Sequence, residues 1–133
     1  MDKACNDIKV RVDEKANLTT FVVPQNVSVE KIISTLETYY SKSPTLHSLW
    51  DFSRTDPSNL KTEDLEQILS VAQEKALTRE GGKTAFVAFS DLSYGIGRMY
   101  EILTEIYGHP VAHMVFKSHP EALDWLIAGE EHN

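Results

Sequence analysis

The order of hydrophobic and polar positions along the chain predicts five strands and four helices. Short apolar runs end in Ser or Asp, as at residues 49–53 and 85–91. Each run is followed by a segment whose apolar residues recur every three or four positions, which is typical of an amphipathic helix. The predicted order is ββαβαβαβα, and helical crossovers favour parallel pairing of strands two to five. We therefore expect a single α/β domain with a five-stranded, mixed but mostly parallel sheet packed with four helices.

The chain opens with a predicted hairpin. Residues 8–12 alternate between apolar and polar side chains, which is typical of a strand with one solvated face. Asn17 suits a turn position with positive φ, and residues 18–23 form the returning strand. Pro24 ends that strand because it cannot donate to the sheet. The remaining strands are expected at residues 46–52, 84–89 and 111–116.

Helix ends are indicated by residues with capping chemistry. Each predicted helix is preceded by a hydroxyl or carboxylate side chain that can accept a hydrogen bond from a free backbone N–H. The candidate caps are Ser28, Thr62, either Ser90 or Asp91, and Ser118 with Glu121 as a capping box. Gly81-Gly82 and Gly108 are the expected terminators of the second and third helices.

Composition narrows the classes of function. The chain has 133 residues, so one domain is expected, with residues 1–6 and 129–133 frayed. Its formal net charge of −7 argues against a nucleic-acid partner. No signal peptide or apolar run long enough to span a membrane is visible, so a cytoplasmic protein is expected. The single cysteine, Cys5, cannot form an internal disulfide.

Several features that resemble catalytic or cofactor sites are better explained structurally. Gly95 and Gly97 lack the third glycine of a dinucleotide loop and lie inside a helix signal, where glycine permits close packing. The five histidines have no metal-ligand spacing, and His113 is expected to be a satisfied core or edge residue. We predict no cofactor and no metal.

Two serines at strand ends leave a small hydrolase as the weakest alternative. Ser53 and Ser90 occupy positions where α/β hydrolases place a nucleophile, and a hydrolase would use one of them with Asp51 and a histidine. Neither serine lies in a Gly-x-Ser-x-Gly elbow, and Ser90 is better explained as a helix cap. We therefore predict that the protein is not an enzyme.

A set of motifs, taken in order, resembles the SpoIIAA-like (STAS/SEC14-type) family of small bacterial and archaeal proteins. The motifs are Leu49-Trp50-Asp51-Phe52-Ser53, residues 85–91, Gly97-Arg98-Met99-Tyr100, Val115-Phe116, and residues 121–126. The resemblance implies a STAS-like fold, similarity to anti-sigma-factor antagonists, and a nonpolar ligand like those of lipid-carrier domains. In true antagonists a strand ending Asp-x-Ser precedes a loop with a phosphorylated serine. Asp51-Phe52-Ser53 matches the strand end, but residues 56–60 lack the Asp-Ser pair and the glycine.

The leading hypothesis is a regulatory module that binds a protein partner or a small nonpolar molecule such as a lipid. Tyrosine and methionine near a strand-end loop suit an apolar cleft. The predicted ligand-binding residues are Trp50, Tyr94, Arg98, Met99 and Tyr100, with Arg98 pairing an acidic head group. The predicted partner-binding residues are Asp51, Ser53, Asp56 and Ser58. A phosphorylation-gated regulator of the anti-anti-sigma type is the alternative, and self-association as a homodimer is compatible with both.

Overall fold

The structure is a computed structural model, and it describes residues 7–128. The strands are β1 (Lys9–Asp13), β2 (Leu18–Val22), β3 (His47–Asp51), β4 (Lys83–Val87) and β5 (Ala112–Phe116). The helices are α1 (Val29–Ser41), α2 (Thr62–Lys75), α3 (Asp91–Ile106) and α4 (His119–Ala128). Cys5 and the two ends expected to fray lie outside the described residues.

The five strands form one sheet in the order β1-β2-β3-β4-β5. Strand β1 pairs antiparallel with β2, and the other three pairs are parallel. This confirms the opening hairpin and the mixed, mostly parallel sheet. The prediction that β1 has only one solvated face was wrong, because all five of its residues are exposed, with Val10 and Val12 each at 55%. Because every crossover moves one strand further in the same direction, right-handed connections place α1, α2 and α3 on one face. Helix α4 packs on the opposite face, against β3, β4 and β5.

Each face of the sheet has its own hydrophobic core. The core under α1–α3 contains Phe21, Val23, Ile32, Leu36, Tyr39, Trp50, Leu65, Ile68, Leu69, Ala72 and Tyr100. The smaller core under α4 contains Leu18, Leu49, Ala85, Val87, Ala122 and Leu126. The alternation of Leu49 and Trp50 between the two cores shows why β3 and β4 lack a polar face.

Most of the predicted helix ends are confirmed. The Ser28 hydroxyl accepts a hydrogen bond from the Lys31 N–H at 3.1 Å, and Ser90, not Asp91, caps α3 through the Ser93 N–H at 3.0 Å. The Ser118 hydroxyl accepts from the Glu121 N–H at 3.3 Å, which confirms the serine half of the predicted capping box. Asn17 has φ of 55°.

The prediction for both ends of α2 was wrong. Thr62 is the first helical residue, and the cap position is Lys61, whose N–H donates to the Asp64 carboxylate at 2.9 Å. The helix ends at Lys75, well before the glycines, because the chain tightens into a 3-10 turn at Ala76–Arg79. Strand β4 is likewise shorter than predicted, since the chain leaves the sheet after Val87 and Phe89 is exposed.

Gly97 lets α3 approach β5 closely. A Cβ added at Gly97 would lie 2.7 Å from Cγ2 of Val115, whereas one added at Gly95 would have no atom within 4 Å. The close-packing interpretation of these glycines is therefore confirmed for Gly97.

Alanine at these two glycines should have opposite effects on stability. We expect Gly97→Ala to lower the free energy of unfolding by about 1 to 3 kcal/mol through overpacking against Val115. Gly95→Ala in the same helix should raise it by about 0.5 to 1 kcal/mol, because alanine has the higher helix propensity. Urea denaturation of both variants measures this. Equal effects would contradict the close approach of α3 to β5.

Candidate functional site: an interior cavity

A cavity of about 90 Å³ lies between the sheet and helices α1–α3. Most of its wall is apolar, with a polar group of residues from the α2–β4 and α3–β5 connections. The apolar lining includes Ile32, Leu36, Trp50, Phe52, Pro57, Leu60, Leu65, Ile68, Ala72, Phe86, Ala88, Ile96 and Gly97. An apolar cavity of about 150 Å³ can hold benzene, so this one suits a slender chain or a smaller group.

Aromatic rings from the sheet form one wall of the cavity. Trp50 stacks on Phe21 with a centroid distance of 4.1 Å, and Phe52 follows Trp50 at 6.3 Å. Phe86 is the register neighbour of Trp50 on β4, and its ring meets Tyr100 of α3 edge-on at 5.5 Å. Two buried alanines also line this space, Ala72 of α2 and Ala88 just after β4, and their short side chains leave room in it.

Arg79 lies at the polar part of the cavity wall and is only 3% exposed. Its Nε donates to the Leu46 carbonyl at 3.0 Å, and Nη1 donates to the Tyr40 hydroxyl at 3.1 Å. Its Nη2 donates to the Lys83 carbonyl at 3.1 Å and to the hydroxyls of Thr84 and Ser48 at 3.0 and 3.3 Å. The 3-10 turn after α2 is what directs this side chain inward.

The surroundings of the Arg79 guanidinium are electrically neutral. Every acceptor named above is a carbonyl or a hydroxyl, and the Tyr39 ring lies 5.4 Å from the guanidinium carbon. Within residues 7–128, no carboxylate forms an ion pair with Arg79. A buried charge without an opposite charge is unusual, because the loss of hydration is then only partly compensated.

Two histidines line the cavity near Arg79 and share the backbone of Val111. Nδ1 of His109 accepts the Val111 N–H at 3.1 Å, and Nδ1 of His113 lies 2.9 Å from the Val111 carbonyl. The rings meet edge-on with centroids 4.7 Å apart. Nε2 of His109 is buried and has no hydrogen-bond partner among the described residues.

Both histidines are neutral at pH 7. Burial, with the nearby Arg79 charge as the second cause, lowers the pKa of His109 to about 4. Burial and the adjacent His109 lower the pKa of His113 to about 3. Burial also raises the pKa of the Tyr100 hydroxyl, which therefore stays protonated. Of these cavity-lining residues, Arg79 therefore carries the positive charge, and the two histidines carry none.

The structure brings two of the five predicted ligand-binding residues to the cavity, Trp50 and Tyr100. The other three have other surroundings. The Lys117 ammonium lies over the Tyr94 ring, 5.1 Å from the ring centroid. Arg98 forms an ion pair with Glu101, whose carboxylate also accepts a hydrogen bond from the Val115 N–H. Met99 is 41% exposed. Their assignment to a ligand site stays a prediction.

The predicted partner-binding residues lie in the turns after β3. The Asp51 carboxylate accepts the Ser53 N–H at 2.9 Å, and the Asp56 carboxylate accepts the Ser58 N–H at 3.0 Å. The second bond lowers the pKa of Asp56. Asp56 and Ser58 are exposed. Pro57, between them, lines the cavity, so the carboxyl edge of the sheet and the cavity meet at this loop.

Sequence reasoning missed Arg79, Tyr40 and His109. Arg79 falls in a polar stretch with no periodic signal, and Tyr40 is one of two consecutive tyrosines in the first helix, whose pattern does not tell which one faces a cavity. The interpretation of His113 as a satisfied strand residue agrees with its bond to the Val111 carbonyl.

No family model, no curated protein and no solved structure matches this chain. Within residues 7–128, no three His, Cys, Asp or Glu side chains are grouped to hold a metal ion. Among the helices of that same part of the chain, none is long and apolar enough to cross a bilayer.

Proposed function

We propose that this protein is a binding module that holds a small nonpolar ligand in the cavity between its sheet and helices α1–α3. The observation that carries the proposal is the cavity itself, about 90 Å³ in volume and walled by Trp50, Phe86 and Tyr100. Ligand sites in proteins are mostly apolar concavities with a few polar groups, and this cavity has that composition. The SpoIIAA-like resemblance, with its expected nonpolar ligand, supports the same proposal.

The energetic cost of the cavity also supports a binding role. Apolar space that stays dry costs about 24 cal/mol per Å³, so 90 Å³ sets an upper bound of roughly 2 kcal/mol. Larger residues at Ala72 or Ala88 would fill this space. Small residues at these two positions fit a protein whose ligand completes the core when it binds.

A series of linear alcohols tests the proposal. We expect linear alcohols from ethanol to hexan-1-ol to bind, with each added methylene tightening the Kd about fourfold until the cavity is full. Isothermal titration calorimetry or chemical-shift changes of the Trp50 indole would report binding. Native mass spectrometry of gently purified protein is the complementary measurement. No saturable binding by any alcohol, together with no retained small molecule, would overturn the proposal.

A cavity-filling variant should abolish that binding. Ala72 of α2 is buried on the cavity wall, and Ala72→Leu adds three carbon atoms to the space. We expect the Kd for hexan-1-ol to rise at least tenfold. The matched control is Ala112→Leu, the same change at an exposed position of β5, which should leave the Kd unchanged. Equal affinities for the two variants would place the alcohol elsewhere.

A phosphorylation-gated regulator is the second candidate. Ser58 is exposed in the 3-10 segment Pro57–Asn59, shortly before the N-terminus of α2, where added negative charge would be favourable. Incubation with ATP and kinase-type anti-sigma factors from the same host tests it. No phosphate transfer to Ser53, Ser58 or Thr62 would remove this candidate.

The expected cellular location and the expected macromolecular partners remain predictions. A cytoplasmic location and the lack of a nucleic-acid partner rest on the acidic composition and the sequence pattern alone. A protein partner at the loop around Asp56, or a second copy of the chain, is compatible with a ligand in the cavity.

A further inference from the structure

The unusual feature of the cavity is a buried cation that lacks a counter-charge. Arg79 is 3% exposed, and no carboxylate of residues 7–128 forms an ion pair with it. Proteins that bury an arginine commonly pair it with a carboxylate, because guanidinium and carboxylate groups match in charge and geometry. At Arg79 that place is open to a ligand.

The free hydrogen-bonding capacity near Arg79 consists largely of donors. A guanidinium has five N–H donors. In Arg79 the Nε–H, both Nη2–H groups and one Nη1–H donate to protein acceptors, so the second Nη1–H is available to a ligand. Tyr40 accepts from Arg79, so its own O–H remains to donate.

His109 adds a further donor. Its Nδ1 accepts the Val111 N–H, which places the proton of the neutral ring on Nε2. That Nε2–H is buried and has no partner among the described residues. A buried donor without an acceptor is destabilising, and an acceptor supplied by a ligand would satisfy it.

We infer that the ligand is a small monocarboxylate, whose carboxylate accepts hydrogen bonds from Arg79, His109 and Tyr40 and whose apolar chain lies against Trp50 and Phe86. The inference rests on the proposed function and adds the charge and orientation of the ligand. One negative charge matches the single guanidinium, whereas the neutral histidines offer no second positive charge for a dianionic phosphate. The cavity of about 90 Å³ favours a short chain.

Hexanoate and hexan-1-ol, compared by calorimetry at pH 7, test the inference. They have the same chain length and differ in the charged head group. We expect the wild-type protein to bind hexanoate at least tenfold more tightly than hexan-1-ol. Equal affinities, or a preference for the alcohol, would overturn the carboxylate assignment while leaving the apolar-ligand proposal intact. Binding of neither compound would overturn both.

Conservative variants test which residues hold the head group. His109→Asn keeps an acceptor for the Val111 N–H and removes Nε2, and Tyr40→Phe removes only the hydroxyl. We expect each variant to raise the Kd for hexanoate at least fivefold and to change the Kd for hexan-1-ol less than twofold. A purely structural role would not produce this difference between the two compounds. The matched controls His119→Asn and Tyr107→Phe should change neither affinity. Unaltered hexanoate binding in both test variants would overturn the inference.

Discussion

Gly82→Ala should lower the free energy of unfolding by about 3 kcal/mol or more. A Cβ at Gly82 would lie 2.1 Å from the Leu46 carbonyl oxygen and 3.0 Å from that of Arg79. Both contacts are with backbone atoms, which cannot rotate away as a side chain can. The loss in free energy of unfolding should therefore exceed the usual cost of overpacking a side chain. Guanidinium denaturation of wild type and variant measures the difference.

The effect of this substitution should extend to the cavity. The Leu46 carbonyl that Gly82 approaches is the acceptor for Nε of Arg79, so displacing it also disturbs the buried guanidinium. Gly95→Ala serves as the control, because a Cβ added at Gly95 would have no atom within 4 Å, and it should not destabilise the protein. A Gly82→Ala variant as stable as wild type would contradict the close contact between the start of β4 and residue 46.

Acidification from pH 7 to pH 4 should remove roughly 3 kcal/mol of stability through His113 alone. Its pKa is about 3 in the folded protein and 6.5 when unfolded, so the unfolded chain binds the proton first. The contribution is complete above pH 6.5 and is lost at about 1.4 kcal/mol per pH unit as the pH falls toward 3. His109, with a pKa of about 4, acts in the same direction. Urea denaturation across this range measures the slope.

His113→Asn should flatten that slope. Asparagine keeps a side-chain N–H near the Val111 carbonyl and does not titrate, so the variant should lose clearly less stability than wild type between pH 6.5 and pH 4. His119→Asn, at the first residue of α4, is the control and should follow the wild-type curve. Identical slopes for wild type and His113→Asn would show that His113 is not held neutral by the fold.

The element order could be predicted because it depends on local patterns. The alternation at residues 8–12, the unbroken apolar run at the fourth strand and the serines before α1, α3 and α4 each carry their own signal. Strand order could not be predicted, because parallel pairing is decided by tertiary contacts between distant segments. The end of α2 could not be predicted for a similar reason: the 3-10 turn that replaces the last helical turn places Arg79 against distant residues, Leu46 and Tyr40, before either glycine is reached.

The candidate site was predicted only in part because neighbouring residues on a helix point about 100° apart. Tyr100 faces the sheet together with Ile96 and Gly97, which places it on the cavity wall. Arg98 and Met99, beside it in sequence, point away from that wall. Arg79 and His109 belong to connections without periodicity, so their convergence became visible only with the fold.

The most direct test of a ligand inside the core is an isotope-filtered NOE experiment on labelled protein with unlabelled hexanoate. If the cavity is the binding site, the alkyl protons should show NOEs to the rings of Trp50, Phe86 and Tyr100. NOEs confined to exposed residues such as Met99 and Ile102 on the outer side of α3, or no intermolecular NOEs under saturating conditions, would contradict it.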